Sequence, residues 1–104
     1  ESYVRFNLPI VSIVGNNGAW NQTTQGVVRR TGRALGTYLS QDTDYAKIME
    51  GMGGHSERVT EPDQIRPALE RAFGSGKPAL LDVVIDQNVS YGTMGGRSRE
   101  QRQY

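Results

Sequence analysis

Residues 8–18 read Leu8-Pro9-Ile10-Val11-Ser12-Ile13-Val14-Gly15-Asn16-Asn17-Gly18. Ile10, Val11, Ile13 and Val14 are β-branched and form a short, almost unbroken apolar run between Pro9 and Gly15, the pattern of a strand covered on both faces in a parallel sheet. Asn16, Asn17 and Gly18 then stop the strand, because asparagine and glycine tolerate left-handed backbone angles and asparagine side chains bond to nearby main chain. A sharp turn at a strand's C-terminal end is the expected result. In an open parallel sheet this is where ligands collect.

Working outward, Glu1 to Phe6 reads as the last turns of a helix already under way. There is no initiator Met and no capping residue, and the run meets Asn7 and Pro9. We therefore expect part of the domain to lie upstream of Glu1. Residues 22–39 are polar and carry Gly26, Gly32 and Gly36 without a clean period, which predicts a short helical turn followed by a surface loop. After Thr43, a capping residue, Tyr45, Ile48, Met49 and Met52 give one apolar helical face that ends at Gly53 and Gly54. His55 to Val59 is a short strand. Thr60 and Asp63 make a variant capping box with Pro62 in the first turn, and Ile65, Ala68, Leu69, Ala72 and Phe73 line one helix face up to Gly74 and Gly76. Ala79 to Ile85 is a second apolar strand broken by Asp82, and Asp86 to Tyr104 is a polar tail expected to be mobile. Strand and helix alternate, so the fold class is α/β, part of a parallel sheet flanked by helices.

Composition narrows the function classes. The apolar share is 36%, and the 13 glycines bring it close to the globular norm of roughly 45–50%. Twelve Lys and Arg against eleven Asp and Glu give +1, too little to attract nucleic acid or an anionic membrane, so any anion must be held locally. With no cysteine and one histidine, thiolate chemistry and histidine-rich zinc sites are excluded, and a reducing cytoplasm is the expected setting. Leu8 to Val14, the longest apolar stretch, is far short of the roughly 20 residues that cross a bilayer.

An asparagine carboxamide oxygen and a free main-chain carbonyl are hard, neutral donors suited to a Mg²⁺ that also holds phosphate oxygens. On spacing alone, Asn16-Asn17-Gly18 is an ordinary turn. The wider segment Val4-Arg5-Phe6-Asn7-Leu8-Pro9-Ile10, followed by Val11 to Val14 and Asn16-Asn17-Gly18, resembles the second half of the thiamine diphosphate motif of the acetolactate synthase superfamily. That superfamily includes benzaldehyde lyase, benzoylformate decarboxylase, oxalyl-CoA decarboxylase and 2-hydroxyacyl-CoA lyase. The similarity continues through the Tyr45 helix, Gly53-Gly54, the Pro62 helix and Lys77-Pro78-Ala79, and so covers about residues 1–86. These residues are expected to be the C-terminal part of a thiamine diphosphate-binding domain, with 87–104 as a tail.

The resemblance implies that Asn17 offers its side-chain oxygen and Ala19 its main-chain carbonyl to Mg²⁺, with the cofactor's diphosphate bridging to the same ion. It implies that Gly18 permits close backbone approach and that Trp20 packs beside the diphosphate. The aspartate of the motif's opening Gly-Asp-Gly would come from upstream, and the activating glutamate from a second subunit, so the enzyme is expected to be at least a dimer. No catalytic residue is assignable here, and this segment alone is expected to be inert. The implied reaction makes or breaks a carbon–carbon bond beside a carbonyl, on a 2-keto or 2-hydroxyacyl substrate that in some relatives is linked to CoA. The most similar activities are 2-hydroxyacyl-CoA lyase and the acetolactate synthase type of carboligase. The rivals are a 2-keto-acid or oxalyl-CoA decarboxylase of the same superfamily and a non-catalytic α/β module that has lost the cofactor. A nucleotide-binding protein of another family is disfavoured, since no Gly-x-Gly-x-x-Gly or Gly-Lys-Ser/Thr loop follows the first strand.

Gly15 and the polar stretch 22–39 depart from the family pattern and leave the substrate open. His55 sits in an expected strand with no positioned partner and is read as structural. Glu61, Asp63, Glu70, Arg66 and Arg71 read as a solvated helix face. Arg97, Arg99 and Arg102 are candidates to grip CoA phosphates in a tail, Tyr91 to Tyr104, that is a candidate lid.

Overall fold

The computed structural model describes residues 1–40 and 42–89. Chain order is α1 (Ser2–Arg5), β1 (Val11–Asn16), α2 (Asn21–Thr31), α3 (Ala46–Gly51), β2 (His55–Val59), a 3₁₀ turn (Pro62–Gln64), α4 (Ile65–Gly74) and β3 (Ala79–Val84). The strands form a parallel sheet in the order β1-β3-β2, with Val11 and His55 both opposite Ala79. The α/β expectation holds.

Alternation along β3 sends its side chains to two different layers. Ala79 and Leu81, both fully buried, face α4, where Ala68 and Ala72 present no atoms beyond Cβ and let the helix lie close on the sheet. Val59, Val11, Leu69 and Val83 complete this core. Burying a leucine-sized side chain there contributes about 1.5–3 kcal/mol. Asp82 points the opposite way, towards α3, which supplies Ala46 and Met49 to β2 and β3. The chain reaches that layer through Gly54, where an added Cβ would lie 2.7 Å from the Pro78 carbonyl and would collide with the Met49 sulfur.

Several sequence expectations are corrected. The first strand runs two residues further, through Asn16, which pairs with Val84. Within the described residues one part of it is open, with Val11 packed on the α4 core and Ile13 58% exposed. Residues 21–31 form a full three-turn helix where a single turn was expected. Periodicity hides it because its inward face is carried by buried Thr24, whose hydroxyl donates to the Trp20 carbonyl at 3.1 Å, and by half-buried Val27 and Val28. Gly32, at φ +77°, closes it by donating to the Val28 carbonyl. In α3 the buried pair is Ala46 and Met49, while Ile48 and Met52 are exposed. The capping box sits one residue later than expected, with the Gln64 side-chain oxygen accepting from the Glu61 N–H at 3.3 Å. In α4 the ring of Phe73 is 68% exposed, so the buried stripe is Ala68 and Ala72 flanked by Leu69.

β2 is tied to α4 by charge. The Arg71 guanidinium forks onto Glu57, with Nη2 2.6 Å from Oε2 and Nε 2.9 Å from Oε1. His55, far from lacking a partner, places Nε2 3.0 Å from the same carboxylate. The Arg71 fork, aided by His55 and opposed by partial burial, holds the Glu57 carboxyl below its ordinary value of 4.5. A depressed carboxylate stabilises the fold above its unfolded pKa, and that contribution is lost as pH falls through the folded value. Glu57→Gln is therefore expected to flatten the acid side of a plot of melting temperature against pH. An unchanged acid limb would show that the clamp contributes nothing.

Candidate functional site

The C-terminal ends of β1 and β3 converge on the turn 16–19, and nearly every polar group of that turn has an assigned partner. Asn16 and Asn17 divide the work. Asn16 is buried, its Oδ1 accepts from the Gly18 N–H at 3.1 Å, and its Nδ2 donates to the Thr43 carbonyl at 3.0 Å and, more weakly, to Asp82 Oδ2 at 3.4 Å. It fastens the turn to the interior. Asn17 is half-buried at the rim, and its Oδ1 accepts from the Ala19 N–H at 3.1 Å. Gly18 lies between them at φ +62°, in the left-handed region where a side chain would be strained.

The main-chain carbonyls follow a consistent pattern. The Asn16 carbonyl accepts from the Ile85 N–H at 2.9 Å, that of Asn17 from Gln87 Nε2 at 3.1 Å, and that of Gly18 from the Leu39 N–H at 2.7 Å and from Gln87 Nε2 at 3.1 Å. The carbonyl of Ala19 has no donor among the described residues. Its direction is nevertheless set. The Trp20 N–H donates to the Thr37 carbonyl at 2.8 Å, and in a trans peptide the C=O points opposite to the N–H of the same plane. The isolated bridge between Ala19 and Tyr38 thus holds the Ala19 oxygen pointing away from Thr37.

Asn17, Gly18, Ala19, Leu39 and Tyr45 contribute to a shallow cavity of about 100 Å³. Two of these residues carry a neutral oxygen with an unused lone pair. One is the Ala19 carbonyl, and the other is Asn17 Oδ1, whose second lone pair is not used by the bond from Ala19. Both are neutral, and among the described residues there is no group of three or more His, Cys, Asp or Glu able to hold a metal by themselves. The donor set therefore fits a share of a divalent cation's coordination shell, with anionic ligands supplied from elsewhere. Trp20 stands at the N-terminus of α2 with its side chain 66% exposed, adjacent to these donors in the chain. His55 begins β2, at the sheet end away from the turn, in keeping with a structural role.

The layer beneath the turn escapes sequence reading. Asp82, wholly buried, accepts through Oδ2 from the Tyr45 N–H at 3.1 Å and lies 3.5 Å from Arg58 Nη1. Arg58 also donates to the Thr43 carbonyl at 2.8 Å. A charge inside an apolar strand was the available signal for Asp82. Gln87, whose partners lie about 70 residues away in the chain, carried none. The candidate lid and its arginines, Arg97, Arg99 and Arg102, lie outside the described residues. No helix among the described residues is long and apolar enough to cross a membrane.

Residues 1–83 match the family model described as "Thiamine pyrophosphate enzyme, C-terminal TPP binding domain". The chain is 40% identical over 91 residues to an acetolactate synthase large subunit of Mycobacterium tuberculosis, an alignment covering 88% of this chain and 17% of that protein. It is 35% identical over 94 residues to a 2-hydroxyacyl-CoA lyase of Oryza sativa, covering 83% of this chain and 16% of the lyase. It is 33% identical over 86 residues to the oxalyl-CoA decarboxylase of Escherichia coli K12, covering 83% and 15%. The chain thus spans about a sixth of the length of these relatives.

Proposed function

The chain belongs to the thiamine pyrophosphate enzyme family, as part of its C-terminal cofactor-binding domain, and from that premise we propose that it holds the Mg²⁺–diphosphate end of the cofactor in an enzyme that makes or breaks a carbon–carbon bond beside a carbonyl. The observation that carries this reading is the Ala19 carbonyl, turned away from Thr37 and without a donor among the described residues. Three successive carbonyls before it are consumed by the protein, and the fourth is aimed away and left for a ligand. Asn17 Oδ1 and Ala19 O are the two metal ligands of this chain, Gly18 permits close approach, and Trp20 shields the diphosphate end.

When bound, thiamine diphosphate supplies a carbon nucleophile and an electron sink. The residues described here bind and orient it; none of them moves a proton in the reaction. Neutral ligands leave the charge of Mg²⁺ to be balanced by the diphosphate and by a carboxylate from the upstream part of the enzyme. The glutamate that activates the ring is assigned to a second subunit. The resemblance to acetolactate synthase and 2-hydroxyacyl-CoA lyase supports a carboligase or lyase acting on a 2-keto or 2-hydroxyacyl substrate, in the second case CoA-linked. Likeness to oxalyl-CoA decarboxylase supports decarboxylation as the alternative, separated by whether the product carries a new carbon–carbon bond.

Calorimetric titration of the natural full-length protein with thiamine diphosphate in the presence of Mg²⁺ tests the reading. Saturable binding at one site per chain is expected. No heat and no change in melting temperature at millimolar ligand would leave an inert α/β module.

A further inference from the structure

We propose that Gln87 is a positioning residue for the metal-binding turn, acting through the Asn17 and Gly18 carbonyls to set where Asn17 Oδ1 and Ala19 O point. The inference rests on the reading of that turn as the Mg²⁺–diphosphate site and adds a residue to it.

The geometry is specific. Gln87 follows β3, just beyond the point where the Ile85 N–H donates to the Asn16 carbonyl and ends the sheet register. A carboxamide nitrogen carries two hydrogens, and Gln87 Nε2 lies 3.1 Å from each of two consecutive carbonyls, those of Asn17 and Gly18, so each receives one. Gln87 is itself held: its own carbonyl accepts from Asn21 Nδ2 at 3.0 Å, and the same nitrogen reaches the Val89 carbonyl at 3.3 Å. The first residue of α2 therefore grips the segment that grips the turn.

Two consecutive peptide planes of the turn are pinned on both sides. In the plane joining Asn17 to Gly18, the N–H is held by Asn16 Oδ1 and the carbonyl by Gln87. In the next plane, the N–H of Ala19 is held by Asn17 Oδ1 and the carbonyl of Gly18 by Gln87 and Leu39. Gln87 is the described partner of the Asn17 carbonyl and shares the next one. Without it the first plane keeps only the bond from the Gly18 N–H to Asn16 Oδ1 and can tilt about Gly18, the residue with the least resistance to rotation. Leu39 still holds the next plane through the Gly18 carbonyl, so the tilt moves Asn17 relative to Ala19, weakens the bond from the Ala19 N–H to Asn17 Oδ1 and shifts the two ligand oxygens relative to each other.

Groups that orient metal ligands from behind typically cost 10–100-fold in metal affinity when removed. Two variants of the natural full-length protein test the assignment, Gln87→Ala and the isosteric Gln87→Glu, which turns an oxygen towards both carbonyls. Apparent affinities for Mg²⁺ and for Ca²⁺ are measured by titration at saturating thiamine diphosphate, beside the wild type and Asn17→Ala. Mg²⁺ demands near-ideal octahedral ligands whereas Ca²⁺ tolerates distortion, so Mg²⁺ affinity should fall about 10-fold in both variants and Ca²⁺ affinity by less than about 3-fold. A general loss of stability would lower both ions together and leave the ratio unchanged, which overturns the assignment. Wild-type Mg²⁺ binding in both Gln87 variants with weakened binding in Asn17→Ala overturns the role of Gln87 alone. Wild-type binding in Asn17→Ala as well removes the metal site and the inference with it.

Discussion

Asn17→Ala in the natural full-length protein is expected to weaken Mg²⁺-dependent binding of thiamine diphosphate about 100-fold, close to 2.8 kcal/mol at 1.4 kcal/mol per decade. Two losses combine. Removing the carboxamide deletes one proposed hard oxygen ligand of a cation that dehydrates reluctantly and tolerates little distortion. It also removes the acceptor of the Ala19 N–H, so the peptide that positions the second ligand oxygen is released at one end. Asn17→Asp separates these contributions, because a carboxylate keeps an oxygen in place for both the metal and the Ala19 N–H. Its affinity should stay within about 10-fold of wild type, with a raised preference for the metal because the new charge is opposite to that of the cation. Chelating the metal from wild-type protein should remove at least as much affinity as Asn17→Ala does. If Asn17→Ala binds like the wild type, the turn is only a turn.

The parts of the fold that could be read in advance are those whose signal is local. The β-branched run of β1, the apolar run of β3, the Gly53-Gly54 stop and the Pro62 start each depend on neighbours in sequence, and each appears in the structure with shifts of one or two residues. Asn17 and Ala19 were singled out by resemblance alone, and the metal-binding roles proposed for them rest on the titrations described above. Elements held by long-range contacts were not legible. α2 contains Gly26 and a run of polar residues, and it is helical because Thr24 and the two valines find an inward face. The capping box moved because Gln64 reaches the Glu61 N–H, a choice between adjacent polar residues that spacing cannot make. Asn16 looked like half of a paired motif, whereas its burial and its four partners give it a separate task. Gln87 and Asp82 matter through residues dozens of positions away.

Asp82→Ala is expected to destabilise this domain by about 3–5 kcal/mol, the range for removing one partner of a buried, hydrogen-bonded charge. Asp82 has no exposed surface, and its Oδ2 serves Tyr45, Asn16 and Arg58 at once. Asn16 and Arg58 keep the Thr43 carbonyl when the carboxylate goes. The Tyr45 N–H, which starts α3, loses its acceptor, and the Arg58 guanidinium loses its buried countercharge. Asp82→Asn should cost less, about 1–2 kcal/mol, because an amide oxygen can still accept from Tyr45. Its NH₂ group would then occupy the place of Oδ1, which has no partner among the described residues. Since a multidomain chain need not unfold in one step, amide hydrogen exchange over residues 42–52 is the sharper measurement. Asp82→Ala should open that segment most, Asp82→Asn less, and wild-type protection in Asp82→Ala would show that the carboxylate does not hold α3. Loss of the Asp82 tether also leaves Asn16 with the Thr43 carbonyl alone for its amide. If Asn17 and Ala19 hold the metal as proposed, cofactor affinity should therefore fall in Asp82→Ala although Asp82 lies beneath the turn, because the buried layer helps to keep the two proposed ligand oxygens in register.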